Sequence, residues 1–115
     1  MPTEIAEKLT VQQLRDQLAD WIGVEARVEM SHRSSIADFA CVPQASLANI
    51  ESLPPELAAV GGEGLLLTFI DQLGDANLTL VLYEKLFDHA VEFERELLIF
   101  LTDVELIIQR VAERR

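Results

Sequence analysis

The sequence predicts an α+β domain: a helix, antiparallel strands, a helix or hairpin, a further strand and a long C-terminal helix. Three observations carry this. A capped apolar pattern of helical spacing starts at Thr10, a strictly alternating segment runs from Val24 to Met30, and a long apolar stripe fills the last quarter. In that stripe Phe93, Leu97, Leu101, Val104, Ile108 and Val111 recur at spacings of four and three, which sets them on one side of a 3.6-residue helix. Leu98, Phe100 and Ile107 widen it. A helix of roughly 25 residues is about twice the globular average, so it is expected to lie along a sheet or a second subunit.

The first helix is signed at both ends. The Thr10 hydroxyl can accept from the Gln13 amide while the Gln13 side chain reaches back to the Thr10 backbone, a capping box, with Leu9 and Leu14 at the staple positions. Val11, Leu14, Leu18 and Trp21 or Ile22 share a face, and Gly23 supplies a left-handed stop. The helix is placed at 11–22, with a looser turn upstream from Thr3. Val24, Ala26, Val28 and Met30 then alternate with Glu25, Arg27, Glu29 and Ser31, the pattern of a half-buried strand. A turn at Ser31-His32-Arg33-Ser34 leads to a second strand over 36–42, ended by Pro43.

The middle of the chain is open to two readings. Ser46 to Ile50 fits a short strand or a helical turn, Pro54-Pro55 punctuates it, and Gly61-Gly62-Glu63-Gly64 breaks it. Leu66, Phe69, Ile70 and Leu73 fit a helix, whereas Leu65, Leu67 and Phe69 fit a strand leading through Gly74-Asp75-Ala76-Asn77 into a hairpin. Leu78 to Tyr83 reads as a strand, and Asp88 can cap the final helix. No repeat, low-complexity tract or linker divides residues 1–115, so a single domain is expected.

Composition narrows the function classes. The 115 residues are 50% hydrophobic and carry a formal charge of −11, from 20 acidic and 9 basic residues. That balance argues against nucleic-acid backbones and anionic membranes as partners. The acids crowd the centre: between Ser31 and Tyr83 only Arg33 is basic, against Asp38, Glu51, Glu56, Glu63, Asp71 and Asp75. Solubility accounts for such a charge, and a basic partner or mimicry of nucleic acid would use it. With Cys41 alone no internal disulfide can form, and a cytoplasmic location is expected. The first residues lack the basic-then-apolar pattern of a signal peptide. No apolar run reaches the ~18 residues of a membrane span.

Candidate chemistry is thin. His32 and Cys41 could meet across a hairpin, but no orienting group or oxyanion hole is signalled beside them. His89 and Glu92 share a helix face at i, i+3, without the second pair that a metal centre requires. Gly61-Gly62-Glu63-Gly64 is not followed by Lys-Ser/Thr, which excludes a nucleotide P-loop. No catalytic residue, cofactor or metal is therefore expected.

Two resemblances bear on function. Cys41-Val42-Pro43 followed by Gly62-Glu63-Gly64 resembles the strand and pyrophosphate loop of GNAT-type N-acetyltransferases, which implies acetyl-CoA chemistry. Ala59 stands where that family has arginine and Glu63 adds negative charge, so no acetyl-CoA binding is expected. The chain as a whole resembles the class I type III secretion chaperones, through Leu14–Gly23, Leu78–Tyr83 and the closing Phe93–Val111 segment. Residues 44–64 depart from that family, being shorter and richer in Gly and Pro. The resemblance implies an acidic cytoplasmic homodimer with a chaperone-like α/β sandwich, holding the N-terminal segment of a secreted effector or gatekeeper ready for export. The partner segment is expected to add a strand and to contact Leu14, Leu18, Trp21, Val24, Val28 and Met30. Leu66, Phe69 and Ile70 are expected at the dimer interface. An acidic inhibitor, such as an immunity or anti-defence protein, is the alternative.

Overall fold

The computed structural model describes residues 9–32, 38–93 and 95–111. The looser turn upstream from Thr3, and Arg33-Ser34 of the expected turn, lie outside the described residues, while Ser31 and His32, expected in that turn, are the last residues of a strand paired with Glu105 and Val104. The elements are α1 (Val11–Ala19), β1 (Glu25–His32), β2 (Asp38–Ser52), α2 (Pro55–Gly61), β3 (Gly64–Ile70), β4 (Ala76–Tyr83), the 3-10 turn η1 (Glu84–Leu86), β5 (Phe87–Glu92), β6 (Glu96–Leu101) and β7 (Val104–Arg110). The strands form one antiparallel sheet in the order β4-β3-β2-β1-β7-β6-β5.

The long C-terminal helix is therefore absent, and with it the expected α+β order and the chaperone-like sandwich. Residues 96–110 are a hairpin, β6 and β7, turning at Thr102-Asp103. The reason lies in a degenerate spacing. Four residues is close to one helical turn and also two full strand repeats, so Leu97–Leu101 and Val104–Ile108 satisfy both periods. Leu97, Ile99 and Leu101, then Leu106 and Ile108, are all buried at every second position. The β-branched Ile99, Val104, Ile107 and Ile108 favour that choice. Leu98, Phe100 and Ile107, read as a widened helical stripe, lie between them on the opposite face. Asp88 caps no helix: it sits in β5, where its carbonyl accepts the Leu9 N–H at 3.0 Å.

The undecided middle resolves into strands as well. Pro43 does not end the second strand: it falls at a register shift in the β1–β2 ladder, where a proline is tolerated, so β2 continues and takes in Ser46–Ile50. α2 starts at Pro55, and Leu65–Ile70 is β3, paired with β2 and β4. The glycine break works through one close approach. A Cβ at Gly64 would meet the Leu82 carbonyl oxygen, and one at Gly61 would lie 2.6 Å from the Tyr83 ring, whose hydroxyl donates to Leu57 O at 3.1 Å. This packing seats α2 against the end of β4.

The first helix matches its N-terminal signals, but it stops at Ala19 rather than at Ile22, so Trp21 and Ile22 lie beyond it and Gly23 does not terminate it. Thr10 Oγ1 accepts from Gln13 N at 3.1 Å, Gln13 Oε1 accepts from Thr10 N at 3.0 Å, and the helix ends at Ala19 with Asp20 as its cap. Gly23 follows at φ +84. Thr10→Ala is expected to lower the unfolding free energy by about 1 kcal/mol, as N-cap losses do, with denaturant melts as the measure.

A flat seven-stranded sheet would hold β4 and β5 about 29 Å apart at ~4.8 Å per strand. Yet Tyr83 and Phe87 are joined by η1 alone, whose reach is at most ~14 Å. The sheet must roll. Its ladders leave β4 and β5 as the two edges, and η1 bonds to both sides of the seam: Glu84 N–H to Glu63 O at 2.8 Å, and Thr102 N–H to Leu86 O at 2.8 Å. One bent strand thus pairs with β3 before the kink and with β6 after it. α1 lies against the inner, apolar face. Glu84 Oε2 accepts from Val11 N–H at 2.9 Å, and Arg15 donates to Ile50 O and Ser52 Oγ. Leu14, Leu18 and Trp21 then join Ala26, Val28, Leu47, Leu65, Leu67, Phe69, Leu82, Phe87, Leu97, Ile99, Leu106 and Ile108 in one core.

Candidate partner-binding surface

The residues that alternation puts on the inner face are accounted for by the core, so binding chemistry has to be sought on the outer face and the edges. On β5–β6–β7 the outer residues line up across strands. Register pairs Val91 with Leu98, Leu98 with Ile107, and Ile107 with Glu29; the next row pairs His89 with Phe100, and Phe100 with Glu105. The His89 and Phe100 rings stack with centroids 4.4 Å apart and planes at 18°. Val91, Leu98, Phe100 and Ile107 are all half-buried.

Carboxylates frame this strip. Glu96 and Glu105 stand beside Leu98 and Phe100 on the outer face, and Glu29, one strand further, accepts from Arg27 Nε. An apolar centre with an acidic margin is the composition that favours burial of aliphatic groups at the middle and cationic groups at the rim. Phe93, 59% exposed at the β5–β6 turn, extends the apolar area.

The residues expected to bind a partner lie elsewhere. Leu14, Leu18, Trp21 and Val28 are at most 2% exposed, while Val24 and Met30 pack against the same core. The Arg110 guanidinium lies 5.5 Å from the Trp21 ring centre, a cation–π contact at the core's margin. Of the expected dimer residues, Phe69 is fully buried, whereas Leu66 and Ile70 are half-buried on the outer face of β3. The sheet does not bring His32 and Cys41 together: Cys41 faces Glu29 across the ladder, while His32 lies at the far end of β1. His89 and Glu92 are three apart on a strand, hence on opposite faces. Gly62-Glu63-Gly64 runs from α2 into β3. Among the described residues no group of three His, Cys, Asp or Glu side chains could hold a metal ion. No helix there is long and apolar enough to cross a membrane.

The outer strip was hidden in plain view. Leu98, Phe100 and Ile107 are the residues that widen the helical stripe, and period two across 96–110 puts them on a second face, where Val91 and His89 of β5, which carry no such signal in the sequence, join them. Comparison of the chain with protein-family models, curated proteins and solved structures finds no match in any of the three. The fold and surface thus define a class, a small acidic antiparallel-sheet domain with an apolar, acid-rimmed outer strip.

Proposed function

We propose that the chain is a non-catalytic, protein-binding domain that docks a basic, apolar-anchored segment of another protein on the outer face of β5–β6–β7. The observation that carries the reading is the Val91–Leu98–Ile107 row beside the His89–Phe100 stack, set among Glu29, Glu96 and Glu105. The formal charge of −11 supplies long-range attraction for a basic segment and speeds encounter. A cytoplasmic chaperone that holds the N-terminal segment of a secreted effector is the specific form we favour. Its support is the likeness of Leu14–Gly23 and Leu78–Tyr83 and the acidic charge; the closing helix no longer contributes.

Affinity capture with the wild-type chain, followed by titration of the captured segment, tests this. Leu98→Ala and Phe100→Ala are each expected to cost about 2 kcal/mol of binding, roughly thirtyfold in Kd, while the sheet-face control Thr68→Ala changes little. Rising salt should weaken binding. An acidic inhibitor is the second reading, supported by exposed Glu51, Glu56, Glu63 and Asp75 away from the strip. Binding that survives both alanines but collapses when those four acids are neutralised would replace the first reading with the second.

A further inference from the structure

We infer that β4 is a self-association edge, pairing antiparallel with β4 of a second copy of the chain about a two-fold axis. The inference stands on the edge itself and not on the outer strip. Glu84 N–H bonds Glu63 O one step beyond the Gly64–Tyr83 pair. Bonded pairs recur at every second position of an antiparallel ladder. Leu82, Leu80 and Leu78 therefore turn their N–H and C=O groups to β3, and those of Thr79 and Val81 point out from the sheet. Thr79 and Val81 are both exposed, Val81 at 38%.

Edge strands are ordinarily blunted by charge, proline or a covering segment. β4 lacks the first two, since Ala76–Tyr83 holds no charged residue and no proline, and among the described residues no backbone bond from outside the sheet reaches Thr79 or Val81. The other edge, β5, shows the contrast. It carries Asp88 and Glu92, and the Leu9 N–H bonds its Asp88 carbonyl. In a chain of charge −11 an uncharged eight-residue edge is the segment that a second copy can approach with least repulsion.

The strand is also complementary to itself. Asp75 precedes it and Lys85 follows it. A two-fold register that pairs Thr79 of one copy with Val81 of the other sets Leu80 against Leu80 and brings each Asp75 toward the other copy's Lys85. The same arrangement draws the end bearing Leu73, 86% exposed, toward the end bearing Leu86, 40% exposed. Parallel pairing would set like ends together instead. Closed two-fold symmetry buries one patch twice and leaves no β4 edge to propagate.

The test is sedimentation of the full chain over an about hundredfold concentration range around tens of micromolar, with amide hydrogen exchange at both extremes. The expected result is a monomer–dimer equilibrium that tightens as salt screens the net charge, with Thr79 and Val81 amides protected only in the dimer. Val81→Pro removes an outward N–H and no β3 bond, so it should keep the fold by circular dichroism and weaken the dimer at least about tenfold. Val81→Lys is the second variant, with the same expectation if proline disturbs the strand. A chain that stays monomeric throughout overturns the inference, as does a dimer in which Thr79 and Val81 exchange freely. Protection of those amides only when a heterologous segment is added also overturns it, and assigns the edge to that segment.

Discussion

Leu18→Asp is expected to abolish cooperative folding of this domain. Leu18 is fully buried between the sheet and its neighbours Leu14 and Trp21. Removing a buried leucine side chain costs about 2–5 kcal/mol, and a carboxylate in its place adds several more through lost hydration. The sum rivals the ~5–15 kcal/mol that hold a whole domain together. A variant without a sigmoidal thermal transition, and with Trp21 fluorescence shifted to the red, is the result anticipated. Val60→Asp, at a site 76% exposed on α2, should stay within about 0.5 kcal/mol of wild type. A sharp melt for Leu18→Asp within a few degrees of wild type would show that α1 does not fill the sheet's concave side as described.

Gly64→Val should be nearly as damaging, for a different reason. A Cβ at Gly64 would collide with the Leu82 carbonyl oxygen and the backbone of Tyr83. Neither atom can swing aside, because both belong to the β3–β4 ladder next to the turn that joins the two sheet edges. Separating the strands there should cost about 3 kcal/mol or more, as overpacking of rigid positions does. Gly74→Ala isolates the backbone contribution: its φ is +86 but nothing stands within 4 Å of the added Cβ, so only about 1 kcal/mol is expected. Denaturant melts of the two variants should differ by at least that margin; equal losses would mean that conformation, not contact, governs both glycines.

Local signals in this sequence were legible wherever one residue's chemistry chooses one geometry. Thr10 and Gln13 form the capping box that their spacing predicts, and Glu25 to Val28 alternate as expected, with Glu25 and Arg27 outward. β1 starts one residue later than Val24 and runs on to His32, and at the register shift after Met30 Ser31 turns inward instead of out. The last quarter was not legible by period, because Leu97, Leu101, Val104 and Ile108 sit at intervals shared by helix and strand. What separated the two was Thr102-Asp103 as a turn and the β-branched content, both weaker than the stripe they interrupt. The binding surface inherited that error. Leu14, Leu18 and Trp21, expected to meet a partner segment laid beside the first helix, are instead part of the core under the sheet. The β1–β7 pairing was beyond local reading altogether, since it joins strands more than seventy residues apart in sequence.

That last pairing sets a timetable for folding as the chain emerges from the ribosome. β1 to β4 form a meander of neighbours, each strand beside the next in sequence, and can assemble once Tyr83 is free. β1 is then an outer strand, its ladder groups open on one side and Arg27, Glu29 and Glu25 standing guard along it. Only when Val104–Arg110 arrives does β7 cover it and bring β6 and β5 along. A nascent chain stalled before residue 104 should therefore be cleaved by protease within 84–103 while 38–83 resists. The charges on β1, ordinary in the finished sheet, are what keep the half-made one from pairing with its neighbours on the same message.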